Sequence, residues 1–235
     1  MSTPVTASWT TIAGSAGSFD AWLALPPAGR GPGLLLLQEI FGVNEHIRTV
    51  AEQYALHGFV VLAPDVFWQQ ETRLDIGYTP ADIQRGRALA MAADKAALQR
   101  DLADSVKALR ARPEVQGRGA GAVGYCMGGR LAYAAAASAG VDAAVAYYGG
   151  GIQDMLELAP QIRCPMQFHY GALDTNIPLT AVDQVRAAMA GKPAEIFVYD
   201  AADHGFNCWA RGSYHAASAA LAHGRTLQFF AQQLF

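Results

Sequence analysis

Apolar and polar positions along the chain alternate between short continuous runs and longer stretches with helical spacing. The apolar runs at 33–37, 59–63 and 119–124 are flanked by Gly or Pro, as expected of strands buried on both faces. The other predicted strands lie at 143–148, 166–170 and 195–199, with an opening hairpin of 8–12 and 21–25. Helical spacing is found at 46–57, 80–112, 130–139, 181–190 and from about 214 onward, and the stretch 80–112 is expected to hold one or two helices. This order predicts an α/β fold in which helices cover both faces of a mostly parallel central sheet.

Length and composition favour one domain spanning residues 1–235. Hydrophobic residues make up 52% of the 235 residues and charged residues 16%, which suits a large buried sheet and disfavours disorder. No internal repeat and no linker rich in Pro, Gly or Ser divides the chain. The longest irregular connection, at 65–79, is predicted to form a partial lid.

Charge and cysteine content exclude several classes of function. The formal net charge is −3 without a basic run, so the chain lacks the electrostatic footprint of a nucleic-acid-binding protein. Residues 1–18 lack the basic and apolar regions of a leader, and no apolar stretch has membrane-spanning length. Cys126, Cys164 and Cys208 are widely spaced and odd in number, which argues against disulfides and structural zinc. We expect a cytoplasmic protein with no membrane or nucleic-acid partner, no metal and no organic cofactor, and its oligomeric state stays open.

The strongest chemical signal is Gly124-Tyr125-Cys126-Met127-Gly128, where an apolar strand meets an Ala-rich helix. It has the pattern of a nucleophile elbow, with Cys in the usual Ser position. The central residue of such a turn is strained, and the two glycines allow the neighbouring strand and helix to approach closely. The start of a helix also favours a thiolate and a developing oxyanion. A core Cys in a Gly-rich turn is the alternative interpretation of this motif alone.

Two further residues, Asp174 and His204, follow predicted strands in the order nucleophile, acid, histidine. That is the chain order of α/β-hydrolases, and both residues fall beyond the carboxyl ends of strands, where sites form in open α/β sheets. The sequence therefore predicts an α/β-hydrolase fold with a catalytic triad of Cys126, Asp174 and His204. The backbone N–H groups of Ile40 and Met127 are the expected oxyanion hole.

Five motifs span almost the whole chain: Leu37-Gln38-Glu39-Ile40-Phe41-Gly42-Val43-Asn44, Ala63-Pro64-Asp65, Gly124-Tyr125-Cys126-Met127-Gly128-Gly129, Ala146-Tyr147-Tyr148-Gly149 and His204-Gly205-Phe206. They closely resemble the motifs of dienelactone hydrolases, also called carboxymethylenebutenolidases. The resemblance implies an enzyme that opens an enol-lactone through a thioester on Cys126, with a small ester or lactone as its substrate. It also implies that Glu39 contacts the resting cysteine and helps to deprotonate it when substrate binds. A carboxylate directly after a buried strand is costly unless it is paired, which fits such a role.

The same resemblance implies substrate contacts from Phe41, Tyr147 and Arg85, the last in a region where such enzymes carry a carboxylate-binding arginine. The alternatives are a solvated helix residue for Arg85 and core packing for Tyr147. Two positions depart from the family pattern. Gly205 stands where related enzymes have a serine directly after the histidine, and Cys208 stands where they have a second carboxylate-binding arginine. Losing one such contact would cost an anionic substrate about 1.5 to 3 kcal/mol.

The true substrate therefore stays open at this point. We place Cys208 at the rim of the pocket, where Arg211 is a candidate to replace the missing arginine. Arg87 is a second candidate, beside Arg85, for the first carboxylate-binding arginine. One alternative is a related cysteine-dependent esterase, lactonase or thioesterase with a different substrate. A less favoured alternative is a non-catalytic scaffold that binds a small molecule or senses oxidants through Cys126. His169 lies inside a predicted strand, and we expect it to be structural.

Overall fold

One eight-stranded sheet runs through the computed structural model, which describes residues 4–115 and 117–235. Its strands are β1 Thr6–Gly14, β2 Gly17–Leu25, β3 Gly33–Leu37, β4 Val60–Pro64, β5 Ala120–Tyr125, β6 Ala143–Tyr147, β7 Met166–Gly171 and β8 Ala194–Tyr199. Their order across the sheet is β1-β2-β4-β3-β5-β6-β7-β8. The β1–β2 and β2–β4 pairs are antiparallel, and all other pairs are parallel. This confirms the predicted α/β fold and its opening hairpin; residues 1–3 of the N-terminal segment discussed above lie outside the described residues.

Helices cover both faces of the sheet. They are α1 Glu45–Leu56, α2 Pro80–Ala92, α3 Lys95–Ala111, α4 Met127–Ser138, α5 Leu179–Ala188 and α6 Ala216–Leu234, with short 3-10 helices at Ile152–Asp154 and Leu156–Gln161. Helix α3 packs against α4 on one face. On the other face, the ring of Tyr54 in α1 contacts the ring of His223 in α6, with centroids 5.2 Å apart. Within the described ranges, no helix is long and apolar enough to cross a membrane.

Side-chain caps fix where several helices begin. Asn44 caps α1 by accepting a backbone N–H at 3.2 Å, and Thr79 forms a reciprocal capping box with Asp82 at the start of α2. Asp94 caps α3 in the same way at 2.9 Å. Because this cap lies inside the stretch 80–112, which was predicted to hold one or two helices, the stretch forms two.

The central strands are buried on both faces, and their carboxyl ends align at one edge of the sheet. The side chains of Leu34–Leu37 in β3 have no exposed surface. The parallel register pairs Leu37 with Gly124 of β5, and Tyr125 of β5 with Tyr147 of β6. Loops that leave this edge therefore start from nearly the same level, which places their first residues next to one another.

Three backbones meet closely at the turn between β5 and α4. Cys126, at this turn, has φ +55° and ψ −114°, a conformation that L-residues rarely adopt. A Cβ on Gly124 would overlap the carbonyl oxygen of Gly128, and a Cβ on Gly128 would overlap the carbonyl oxygen of Leu37. Only hydrogen fits at both positions, as the sequence predicted for a nucleophile elbow.

The irregular segment at 65–79 is held to the body of the protein and does not cover the elbow. Buried Asp65 accepts hydrogen bonds from the backbone N–H groups of Phe67 at 3.1 Å and Arg73 at 2.5 Å. Of the described residues that line the cavity above Cys126, none belongs to this segment, and α2 supplies that wall instead. The prediction of a partial lid at 65–79 is therefore wrong.

A buried hydrogen-bond network joins the sheet to α6. The hydroxyl groups of Tyr147 and Thr226 lie 2.7 Å apart, and Nε2 of His169 lies 3.1 Å from the Thr226 hydroxyl. Nε2 of His169 is also 2.8 Å from Oε1 of Gln167, and Nδ1 is 2.8 Å from the hydroxyl of Tyr199. Burial lowers the pKa of His169 to about 3, so the ring is neutral. The structural role expected for His169 is confirmed.

The close approach at the elbow predicts a large effect of one added methyl group. Gly124→Ala should lower the free energy of unfolding by about 3 kcal/mol or more, since backbone atoms must move to admit the Cβ. Urea denaturation measures this loss. The matched control is Gly224→Ala on the exposed side of α6, where no atom lies within 4 Å and alanine should add up to about 1 kcal/mol. Equal stability of the two variants would contradict the geometry described here.

Candidate active site

Loops from the carboxyl ends of β5, β7 and β8 bring Cys126, Asp174 and His204 together. Nε2 of His204 lies 3.1 Å from Sγ of Cys126, and Nδ1 lies 2.7 Å from Oδ2 of Asp174. Asp174 is buried, and its other oxygen accepts the backbone N–H groups of Asn176 at 2.8 Å and Ile177 at 3.2 Å. The carboxylate is fixed by these contacts and in turn orients the imidazole toward the sulfur.

These contacts favour the protonated form of the imidazole. Burial by itself would lower the pKa of His204, but the hydrogen bonds to Asp174 and Cys126, together with their negative charges, raise it to about 10. An imidazolium at hydrogen-bond distance from the sulfur stabilises the thiolate, which is the nucleophilic form of cysteine. The arrangement can therefore deliver a sulfur nucleophile and a proton donor to the same point.

Tyr148, to which the sequence analysis assigned no role, packs against the imidazole of His204. The two ring centroids are 5.2 Å apart in an edge-on arrangement, and the ring of Phe206 also packs edge-on against Tyr148, at 5.4 Å. Tyr148 is fully buried with φ +35°, and its hydroxyl has no hydrogen-bond partner among the described residues. Its position directly after β6, one strand from Cys126, was the available signal for a residue of this site.

Glu39 lies beneath the cavity, paired with an arginine. Its side chain is 1% exposed, and Oε1 accepts a hydrogen bond from Nη1 of Arg211 at 3.2 Å. Oε2 has no hydrogen-bond partner within the described part of the chain, so the contact with the resting Cys126 that the family resemblance implies is not formed. Burial raises the pKa of the Glu39 carboxyl, and the charges of Arg211 and His204 oppose that rise. The carboxylate therefore depends on Arg211 for most of its compensation.

A cavity of about 260 Å³ opens above the sulfur of Cys126. Ile40 and Met127 both line it, which is the placement expected of the two oxyanion-hole residues. Phe41 lines it as well, with the guanidinium of Arg211 5.7 Å from its ring centre. The catalytic and binding roles of these residues stay predictions.

A second cavity, of about 340 Å³, lies beside α1 between His46 and Trp209. Burial and the charge of Arg211 lower the pKa of His46 to about 4, and its neutral ring packs edge-on against Trp209 at 4.2 Å. The described residues that line this cavity include no cysteine or serine, so we place the active site at Cys126. Within the described residues, no group of three or more His, Cys, Asp or Glu side chains is arranged to hold a metal ion.

Comparison with known proteins identifies the family. The sequence model of the Dienelactone hydrolase family matches residues 19–234. The chain belongs to the dienelactone hydrolase family. Carboxymethylenebutenolidases of a Pseudomonas species and of Pseudomonas putida are 36% and 34% identical to it over 220 residues, covering 90% and 91% of this chain and 89% and 91% of theirs. The crystal structure of a Klebsiella pneumoniae protein, provisionally named a dienelactone hydrolase, is similar with TM-score 0.86 at 32% identity, covering 97% of this chain and 99% of that one.

These matches confirm the predicted family, the α/β-hydrolase fold and the enzyme class, a hydrolase of carboxylic ester bonds. The structure then corrects one position that departs from the dienelactone hydrolase pattern. Cys208 is fully buried and does not lie at the pocket rim as predicted. Its sulfur points to Tyr78 and donates a hydrogen bond to that hydroxyl at 3.4 Å. Burial and the nearby charge of Glu39 raise the pKa of Cys208 to about 12, so it stays a thiol.

Arg211 reaches the cavity above Cys126 because residue 205 has no side chain. Gly205 has φ +80°, and a Cβ there would overlap the guanidinium of Arg211. The two departures from the family pattern, Gly205 and Cys208, therefore occur together with an arginine supplied from residue 211. This side chain places a cation against Glu39 and the cavity.

The structure does not bring Arg85 or Tyr147 to the cavity, which corrects two predicted substrate contacts. Arg85 points to the surface, where its Nη2 pairs with the carboxylate of Glu71 at 2.6 Å. Arg87, two residues further along α2, lines the cavity instead. Tyr147 is fully buried against α6, where its hydroxyl bonds to Thr226.

The environment of His204 predicts an unusual titration. In the native protein the His204 ring should stay protonated through neutral pH and titrate near pH 10. Asp174→Asn should lower that pKa, because the amide carries no negative charge to stabilise the imidazolium. Two-dimensional NMR of the ring nitrogens, assigned by the signals lost in His204→Gln, measures both. A His204 signal that titrates near 6.5 in the native protein would contradict this account.

The buried pair of Glu39 and Arg211 predicts strongly non-additive mutations. Arg211→Gln should destabilise the protein by about 2 kcal/mol, since it leaves a buried carboxylate without its partner. Adding Glu39→Gln should restore most of that loss, as measured by urea denaturation in a double-mutant cycle. As the pH falls from 7 to 5, the free energy of unfolding of Arg211→Gln should rise toward that of the double variant. The reason is that the raised pKa of Glu39 lets the folded state bind a proton and neutralise the unpaired carboxylate. Additive single effects would show that the two side chains do not interact.

Proposed function

We propose that this protein opens an enol-lactone such as dienelactone through a thioester on Cys126. The observation that carries the proposal is the continuous contact from Asp174 through His204 to Cys126, at 2.7 and 3.1 Å. It is supported by relatives that are named carboxymethylenebutenolidases and cover about nine-tenths of this chain. The partner is a small ester or lactone.

In the acylation step, the Cys126 thiolate attacks the lactone carbonyl carbon. The resulting oxyanion accepts hydrogen bonds from the backbone N–H groups of Ile40 and Met127, which both line the cavity. The ring C–O bond then breaks to give a thioester and an enolate. The enolate takes the proton of the His204 imidazolium, which the carboxylate of Asp174 stabilises through Nδ1.

In the second step, water hydrolyses the thioester. Neutral His204 takes a proton from the attacking water at Nε2, and the thiolate of Cys126 leaves as the acid forms. Asp174 accepts a hydrogen bond from Nδ1 throughout, which holds the tautomer with Nε2 free and stabilises the imidazolium that reforms. The cycle ends with the same thiolate and imidazolium with which it began.

The role proposed for Glu39 requires a change of partner. Its described contact is with Arg211, whereas that of Cys126 is with His204. A substrate carboxylate that bound Arg211 would compete with Glu39 for the guanidinium and would leave the buried Glu39 as a stronger base. Glu39 would then take the thiol proton of any Cys126 that was not yet a thiolate. Arg87, which lines the same cavity, is the second candidate for the substrate carboxylate.

The test compares two cysteine variants. Cys126→Ala should abolish the opening of cis- and trans-dienelactone with an unchanged circular dichroism spectrum. Cys164→Ala is the matched control and should keep turnover near the native level, because Cys164 precedes β7 and burial raises its pKa to about 11. Mass spectrometry of the native protein, quenched with acid during turnover, should find a substrate-sized adduct on the peptide that contains Cys126. Retained turnover in Cys126→Ala would exclude the thioester route.

A neutral lactone and an aryl ester belong in the same assay, since they test the alternatives. Turnover of these substrates without dienelactone turnover would favour a related esterase or lactonase. Alkylation of Cys126 by iodoacetamide in a protein that turns over none of them would favour the non-catalytic, oxidant-sensing scaffold.

A further inference from the structure

The cavity above Cys126 is positively charged in a protein that is negatively charged overall. Arg87, Arg130 and Arg211 line it, and no carboxylate is among its described lining residues, while the whole chain has a formal net charge of −3. Glu39 compensates Arg211. Within residues 4–115 and 117–235, neither Arg87 nor Arg130 forms an ion pair with an acidic side chain. Two guanidinium groups are thus left for an incoming anion.

The position of Arg130 is set by its place in α4 and by the space that Gly151 leaves for its side chain. It lies in the first turn of α4, four residues after Cys126, and its backbone N–H donates to the Cys126 carbonyl at 3.4 Å. Its side chain passes over Gly151, where a Cβ would lie 3.1 Å from Nη1 and 3.3 Å from Cδ. A larger residue at 151 would crowd this path, so the local structure favours the position that Arg130 occupies.

Arg87 and Arg130 lie on different sides of the nucleophile. Arg87 belongs to the α2 wall, where Gly86 packs on the carbonyl of Ile40 in the loop after β3. Arg130 lies over Gly151, in the segment after β6. Because β5 stands between β3 and β6, these two sides are about 10 Å apart at the usual strand spacing. Arg87 and Arg211 suffice for the single carboxylate in the proposed function, which leaves Arg130 without an assigned partner.

We propose that Arg130, which lines the cavity together with Asn176, forms a second anion subsite on the β6–β7 side of Cys126, so that the site can bind a substrate with an acidic group on each side of its scissile carbonyl. This rests on the proposed function for the position of the reacting carbonyl. An arginine binds a carboxylate through a charge-assisted and often bidentate hydrogen bond. A dicarboxylate ester or lactone would therefore span the cavity, whereas dienelactone itself carries one carboxylate and uses one side.

Four phenyl esters with the same reacting bond test the subsite. They are phenyl pentanoate, which is neutral, monophenyl glutarate, with an acid on the acyl side, 3-(pentanoyloxy)benzoate, with an acid on the leaving group, and the glutarate monoester of 3-hydroxybenzoate, with both. Arg130→Gln should lower kcat/KM about tenfold, equivalent to about 1.4 kcal/mol, for the dianion and for one of the two monoanions. It should change the neutral ester and the other monoanion less than twofold.

Two control variants separate a local contact from a general charge effect. Arg30→Gln removes the same charge from an exposed site before β3, at the opposite end of the strands from Cys126. It should leave kcat/KM unchanged for all four substrates. Arg130→Lys should restore part of the loss, and the native preference for the dianion should decrease as salt is added. Equal losses on all four esters, or no loss on any, would overturn the subsite.

A binding measurement on Cys126→Ala gives a second readout that needs no turnover. Calorimetry should find that glutarate binds more tightly than pentanoate, and that Arg130→Gln removes the difference. Equal affinities in the presence of Arg130 would overturn the subsite. If dienelactone is not opened but the four-ester pattern holds, the second subsite stands and the proposed substrate falls; if Cys126→Ala hydrolyses the esters, the proposed mechanism falls instead.

Discussion

The reactive centre depends on how closely the end of β3, the turn at Cys126 and the first turn of α4 approach one another. Glycine at residues 124 and 128 removes the only atoms that would keep these backbones apart. The same approach places the sulfur at the start of α4, between the loops that follow β3 and β6. Met127 and Arg130, both in the first turn of α4, take their positions in the cavity from that approach. Packing of backbone against backbone thus comes before any side-chain chemistry.

Positive and negative side chains in the site contact one another in sequence, so that the charge on each one stabilises the charge on the next. Asp174 supports the charge on His204, which supports a thiolate on Cys126. Beside this chain, Glu39 is tolerated in a buried position because Arg211 lies against it. Since His204 also stabilises the charge of Glu39, a change of protonation in one pair alters the other. A bound anion that draws Arg211 away from Glu39 would therefore also change the electrostatic environment of the Cys126 sulfur.

The sequence predicts residues that follow strands more reliably than residues within helices or long loops. Cys126, Asp174 and His204 could be placed because parallel strands end at one edge and strand ends are readable from apolar runs. Arg85 and Arg87 are two residues apart on one helix, so they project about 200° apart, and the sequence alone does not say which faces the site.

Tyr147 and Arg211 illustrate two other limits. Tyr147 lies in β6 and faces α6, whereas Tyr148 lies just past the strand and faces the imidazole, a distinction that depends on one residue of strand length. The position of Arg211 depends on the course of the loop after His204, including the left-handed conformation of Gly205. No periodicity governs such a loop, so its path could be learned only from the folded structure.

The hydrogen-bond network beneath the sheet has a consequence for assembly of the fold. Thr226 bonds to both Tyr147 and His169, and all three are fully buried. If α6 docked one turn out of step, the buried hydroxyl groups of Tyr147 and Thr226 would be sealed away from water without each other as partners. The free energy of a form with a shifted α6 is therefore higher by several kilocalories per mole. Apolar contacts alone would discriminate less between the native and the shifted positions. This buried polar network in an otherwise apolar interior therefore selects the native position of the C-terminal helix over shifted positions.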